Sequence, residues 1–142
     1  MSEEFLVAGL KDVAAHRISE GDTVLLAVLS GPASGSSSSV CFEVWEPRGS
    51  QPPNSHPRST ETFVVLSGHG LAHSDGASHP LGPGDVLVLP PGSVHRIENL
   101  SDTERLYTIT VMAPDDGFAA LIERGPLAEL EEQDLAVLKA AR

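Results

Sequence analysis

Residues 84–99 read GDVLVLPPGSVHRIEN. An apolar run, "DVLVL", is stopped by Pro-Pro-Gly, and His95 stands where the chain sets off again. Proline cannot donate to a strand ladder, and glycine accepts backbone angles other residues avoid, so "PPG" reads as a turn between two strands. About forty residues upstream lies the second informative stretch, HPRSTETFVVLSG at 56–68. It carries a histidine and a glutamate five apart and ends in a glycine turn. Along a strand only every second side chain points inward, so Glu61, Phe63 and Val65 share one face. Asn54 and His56 share a face if their stretch is extended.

His56, Glu61 and His95 together offer two imidazoles and one carboxylate. On contiguous positions of one ion such a set leaves other positions open for substrate and dioxygen on Fe(II), and the same donors accept Zn, Mn, Ni or Co. Asn54 stands two residues before His56, where a further imidazole would complete a four-ligand set. Its amide oxygen is a weak, hard, neutral donor. It either ligates weakly or orients a water or substrate beside the metal.

Working outward, "TVLLAVL" (23–29) and "VCFEVW" (40–45) read as strands, joined by the Gly/Ser-rich loop "GPASGSSSSV" (31–40). Residues 46–59 are dense in Pro, Gly and Ser and predict an irregular segment. "RLYTITVMA" (105–113) predicts another strand. Beyond Pro114 the apolar spacing becomes helical: Phe118, Leu121 and Ile122, then Leu127, Leu130, Leu135 and Leu138, with "GP" at 125–126 between two short helices. The expected organisation is one domain over 1–142, a β barrel core at about 23–113 and a helical tail at 115–142.

The two quoted stretches resemble the paired motifs of the cupin superfamily, in its small single-domain, quercetinase-like form. Gly84, Pro90, Gly92, His95 and Asn99 match every position of the second motif. Gly49, His56, Glu61 and Gly68 match the first, with a gap shortened to four residues after Gly49 and Asn54 in the first histidine slot. The likeness covers roughly residues 40–112. It implies an all-β fold, the double-stranded β-helix or jelly-roll barrel, with short C-terminal helices and a metal held inside. It implies a divalent transition metal (Fe, Mn, Ni or Zn) bound by His56, Glu61 and His95, and Asn99 as a turn residue. The activity expected is that of a small-molecule oxygenase, with Glu61 as ligand or general base. The competing readings are a metal-dependent sugar isomerase or epimerase, a non-catalytic small-molecule binding or sensing barrel and, last, a structural or storage protein.

The remaining composition bounds partners. The chain has 142 residues and a formal net charge of −11, which disfavours nucleic acid and anionic membrane as partners. No run reaches the roughly 18 apolar residues of a spanning helix, and the acidic start "MSEEFLVAGL" does not read as a secretory signal. Cys41 is the only cysteine, so internal disulfides and cysteine zinc sites are excluded, and a reducing cytoplasm fits. Cys41 is expected to pack as a small apolar side chain, and Trp45 to line the barrel mouth or a subunit contact. His16, His69, His73 and His79 are expected to be solvated, His73 being the best of the four as an extra ligand. Arg58 and Arg96 are expected in surface ion pairs, with a substrate clamp as the alternative. A homodimer with a small molecule in each barrel is the expected assembly.

Overall fold

The computed structural model describes residues 5–9 and 12–140. Among the described residues ten strands and two α-helices follow in order, with a 3-10 turn at Pro32–Ser34: β1 (Ala15–His16), β2 (Val24–Ser30), β3 (Ser39–Trp45), β4 (Thr60–Ser67), β5 (Gly70–Ser74), β6 (Ala77–Leu81), β7 (Val86–Leu89), β8 (His95–Asn99), β9 (Leu106–Ala113), α1 (Phe118–Glu123), β10 (Leu127–Ala128) and α2 (Glu132–Ala140). One sheet has the order β10-β1-β2-β3-β9-β4-β7, and the other β6-β5-β8. Every pairing is antiparallel. The two sheets close on each other as a jelly-roll barrel, the all-β fold expected.

β2 and β3 read as continuous apolar runs because both of their faces are covered. Val24 and Leu26 of β2, with Cys41 and Trp45 of β3, face the barrel interior, where they meet Phe63, Val65, Ala72, Leu89, Ile97 and Leu106. Leu25, Ala27, Phe42 and Val44 point the other way into a second apolar cluster with Tyr107. Leu130, Val137 and Leu138 pack over that outer cluster. Asp134 fixes α2 there. Its buried carboxylate accepts hydrogen bonds from Tyr107 Oη (2.7 Å), Arg105 Nη1 (3.0 Å) and the Glu131 amide (2.8 Å).

The tail departs from the sequence reading at its middle. The helical spacing from Leu127 onward predicts one continuous helix, but Leu127 and Ala128 form β10 and pair with His16 and Ala15 of β1. The helix begins only at Glu132. A backbone ladder to a distant strand outweighs local periodicity there, and Leu127 is left largely exposed. The tail's last two residues, 141–142, lie outside the described residues, as do the first four of the chain. Strand β6 also goes beyond the sequence reading.

The turns that aim the site follow the motif glycines. Gly68 has φ +88°, and a Cβ there would stand 2.6 Å from the Arg105 carbonyl oxygen, so no other residue fits without a shift. After Pro90-Pro91, Gly92 at φ +83° donates its amide to the His56 carbonyl at 2.8 Å. The "PPG" turn thereby bonds directly to the first motif. Asn99 is buried beyond it, donating Nδ2 to the carbonyls of Trp45, Glu46 and Glu104 while its Oδ1 accepts the Ser101 amide. It is the staple of the surrounding loops, as its expected turn role requires.

Candidate metal centre and cavity

Three neighbouring pieces of backbone hold the candidate ligands. His95 opens β8, whose alternation turns His95, Ile97 and Asn99 inward and Arg96 and Glu98 outward. Glu61 lies on β4 on the same face as Phe63 and Val65, all buried. His56 sits in the irregular segment before β4. That segment is extended at Asn54, whose amide donates to the His95 carbonyl (2.9 Å) and whose carbonyl accepts the His95 amide (2.8 Å). Asn54 and His56 are both partly buried while Ser55 between them is exposed, the alternation expected of an extended stretch.

The result is a cluster in which His56, Glu61 and His95 each offer a ligand atom within 4.8 Å of the others. His95 Nε2 lies 2.8 Å from Glu61 Oε1, and His56 Nε2 lies 3.7 Å from the same oxygen. Donors sharing an ion at bonds of about 2.1 Å stand roughly 3–4 Å apart, so this spacing suits a common ion. The close His95–Glu61 pair does not form a hydrogen bond: both Nε2 and Oε1 are buried and unpartnered. Buried polar atoms are almost always satisfied, so two orphans facing each other are atoms kept for a third body. His95 Nδ1 is 3.3 Å from the Ser93 carbonyl, which accepts the Nδ1 proton and leaves the Nε2 lone pair free for a cation. A carboxylate and two imidazoles, prearranged and with the Glu61 and His95 atoms unpartnered, fit a divalent transition metal.

Beside the cluster lies a cavity of about 190 Å³. Its walls are Ile18, Val24, Leu26, Trp45, Phe63 and Phe118, and its polar groups include Glu43, Gln51, Asn54, His56 and Glu61. His95, only 3% exposed, lies just behind Glu61. The side-chain oxygens Asn54 Oδ1 and Gln51 Oε1 are also buried without partners. Asn54 therefore presents an unused acceptor to the cavity that His56 and Glu61 also line. Trp45 lines the cavity and is 1% exposed, which places it inside the barrel.

The other candidates lie elsewhere. His73 faces outward, with Nδ1 2.7 Å from Ser78 Oγ and Nε2 3.0 Å from Glu98 Oε1, so both ring nitrogens are engaged. That bond to His73, with Arg96 adding to it, holds the Glu98 carboxyl below its ordinary value. Arg96 pairs with Glu98 at 3.2 Å and Arg58 with Asp116, the surface ion pairs expected. His16 Nδ1 meets the Gly125 carbonyl at 3.0 Å and His79 Nδ1 the Pro80 carbonyl at 2.6 Å. Cys41 is fully buried in the inner core, where burial pushes its thiol far up and keeps it protonated.

Glu43 is the polar group the sequence reading missed. It is 4% exposed and sits among apolar neighbours on β3. Burial pushes its carboxyl up to about 8, the nearby Glu61 carboxylate adds to the shift, and hydrogen bonds from Thr110 and Thr108 oppose it. The signal was present: Cys41, Glu43 and Trp45 alternate onto one face. With both faces of β3 covered, nothing in the run itself says that this face is the inner one.

Residues 41–112 match the cupin domain family, half of the chain, and the chain belongs to that family. Among curated proteins it is similar to germin-like protein 4-1 of Oryza sativa subsp. japonica, 41% identical over 59 residues, 34% of this chain and 23% of that protein. It is also similar to germin-like protein subfamily T member 3 of Arabidopsis thaliana, 40% identical over 74 residues, 49% of this chain and 32% of that protein. The chain thus spans a third or less of these curated relatives. Among solved structures it is similar to a predicted oxalate decarboxylase from Thermotoga maritima, with TM-score 0.64 and 25% identity over 75% of this chain and 97% of the other. A cupin 2 conserved barrel domain protein from Salinispora arenicola gives TM-score 0.60 and 26% identity, covering 87% and 96%. Among the described residues no helix is long and apolar enough to cross a membrane.

Proposed function

We propose that the chain is a metal-dependent enzyme of the small-molecule oxygenase type, in which His56, Glu61 and His95 hold a divalent transition metal beside a ring-sized cavity. The observation that carries this reading is the unpartnered pair Glu61 Oε1 and His95 Nε2, buried 2.8 Å apart. A carboxylate in this position with no cation beside it would be costly to bury, which supports a site meant to be filled. The likeness to a structure described as a predicted oxalate decarboxylase supports chemistry on a small oxygenated molecule.

Bound there, the metal supplies a Lewis-acidic centre with open positions for substrate and dioxygen. The protein's own groups divide the remaining work. The apolar walls exclude water and take the face of an enolic or catechol-like ring. Glu61 is placed to accept the proton of an enol or phenol at a carboxylate oxygen. Asn54 Oδ1 accepts a hydrogen bond from a hydroxyl and so orients it. A cavity of about 190 Å³ suits one ring, since one of about 150 Å³ already admits benzene. It is too small to enclose a three-ring flavonoid.

The test is to prepare the chain without chelator or metal-binding tag, measure bound metal, and follow dioxygen uptake with single-ring catechols and cyclic 1,3-dicarbonyls. One equivalent of metal and turnover that disappears together in His95→Ala are expected. A folded wild-type chain that takes up no metal on supplementation overturns the metal assignment. Stoichiometric metal with no uptake on any of these compounds overturns the oxygenase assignment and leaves a binding barrel.

A further inference from the structure

The cavity has a second polar pole away from the histidines. Glu43 Oε2 accepts a hydrogen bond from Thr110 Oγ1 at 2.7 Å and another from Thr108 Oγ1 at 3.3 Å. The direction of the second is set one step further back. Trp45 Nε1 can only donate, and it bonds to Thr108 Oγ1 at 3.3 Å, so the threonine's own proton is free for Glu43. With Oε2 accepting both hydroxyls, a proton on this carboxyl resides on Oε1. Among the described residues no group bonds Oε1, and Glu43 lines the cavity. Glu43 is 4% exposed, and among the described residues no cation pairs with it. A buried carboxylate with no cation beside it is strongly disfavoured against the neutral acid.

We propose that Glu43 is the cavity's second recognition group, a carboxylic acid whose Oε1 donates a hydrogen bond to an acceptor oxygen on a ring-sized ligand held at the His56–Glu61–His95 end. The ligand class follows: a single ring with a chelating or enolic edge and, away from it, a carbonyl or carboxylate oxygen. Thr108 and Thr110 are positioning residues, because they act through the orientation of Glu43, whereas Trp45 both walls the cavity and orients Thr108. A site built to bond an oxygen rejects the analogue that lacks it, because its own buried group is then left unpaired. This inference rests on the cavity being the ligand site proposed above.

Trp45 makes the test direct. It is the single tryptophan of the chain and lines the cavity, so its fluorescence reports occupancy. Two catechols of nearly equal size serve as probes: 3,4-dihydroxyacetophenone, which carries a carbonyl acceptor, and 4-isopropylcatechol, which does not. Each is titrated into wild type, Glu43→Gln and Glu43→Leu, with and without Zn(II), a redox-inert metal. The ratio of the two affinities is the readout, since it cancels any general effect of the variants on folding or packing. Wild type is expected to favour the ketone by about tenfold more than Glu43→Leu does. Glu43→Gln, which turns an N–H to the cavity, should keep most of that preference. The same ratio in all three proteins, or no binding of either probe, overturns the proposal. The metal reading is scored separately, by whether zinc tightens both probes alike in all three proteins.

Discussion

Replacing Asn54 by histidine should tighten metal binding, and the structure says by roughly how much. The Asn54 backbone is held by two hydrogen bonds to His95, at 2.9 and 2.8 Å, and neither depends on its side chain. The Cβ therefore stays where it is, aimed at the cavity that His56 and Glu61 line. The side chain there is an amide whose oxygen is buried and unpartnered. Exchanging it for an imidazole adds a better donor for a borderline metal and removes an unsatisfied acceptor. A gain of at least about tenfold in affinity is expected, equivalent to about 1.4 kcal/mol. At saturating metal this adds roughly 3–6 °C to the metal-induced rise in Tm, taking about 2–4 °C per kcal/mol for a chain near this length. Competition with a chromogenic chelator gives the affinity, and a thermal melt with and without metal gives the shift. Unchanged or weaker affinity in a folded variant would refute the placement of Asn54 beside the ion. If Asn54 also orients substrate, turnover falls while metal affinity rises.

Two further outcomes follow from buried groups. Asp134→Ala strands the Tyr107 hydroxyl and leaves Arg105 with only its bond to Glu131, so a loss of about 3–5 kcal/mol is expected, read as a lower urea midpoint at unchanged slope. A loss below about 1 kcal/mol, within the range of an ordinary surface change, would mean that α2 is held by its apolar contacts alone. Glu43 keeps its proton in the folded chain up to about pH 8, whereas the unfolded chain releases it near the ordinary 4.5. The folded state binds more protons across that window, so stability falls as pH rises through it and levels off above. Glu43→Gln should remove this slope, up to roughly 5 kcal/mol across the window in metal-free protein. Parallel stability–pH curves for the two proteins would show that Glu43 titrates normally.

The parts of the site legible in the sequence are those whose geometry is local. His56 and Glu61 are marked by their five-residue spacing across the bend that leads into β4, and His95 by the Pro-Pro-Gly turn before it. What binds the two motifs together is not local: the Gly92 amide on the His56 carbonyl and the Asn54–His95 bridge join residues far apart in sequence. Strand β10 was illegible for the same reason, since the ladder from Leu127–Ala128 to β1 crosses more than a hundred residues and overrides a helical pattern. Strand β6 was hidden by its composition: "ASHPL" is exposed at four of five positions and contains a proline, so no apolar alternation announces it. Glu43 was hidden by the opposite problem. On β3 the residues around Glu43 are apolar or small on both faces, and only the three-dimensional partner of each face reveals which residues line the cavity.

His56, Glu61 and His95 are proposed to share one metal ion. Crystals of the metal-loaded chain, with diffraction recorded on either side of the metal's absorption edge, test it most directly. A single anomalous peak is expected among His56 Nε2, Glu61 Oε1 and His95 Nε2, lost in His95→Ala. A peak elsewhere, or none in crystals grown at saturating metal with Glu61 hydrogen-bonded straight to His95, would contradict it.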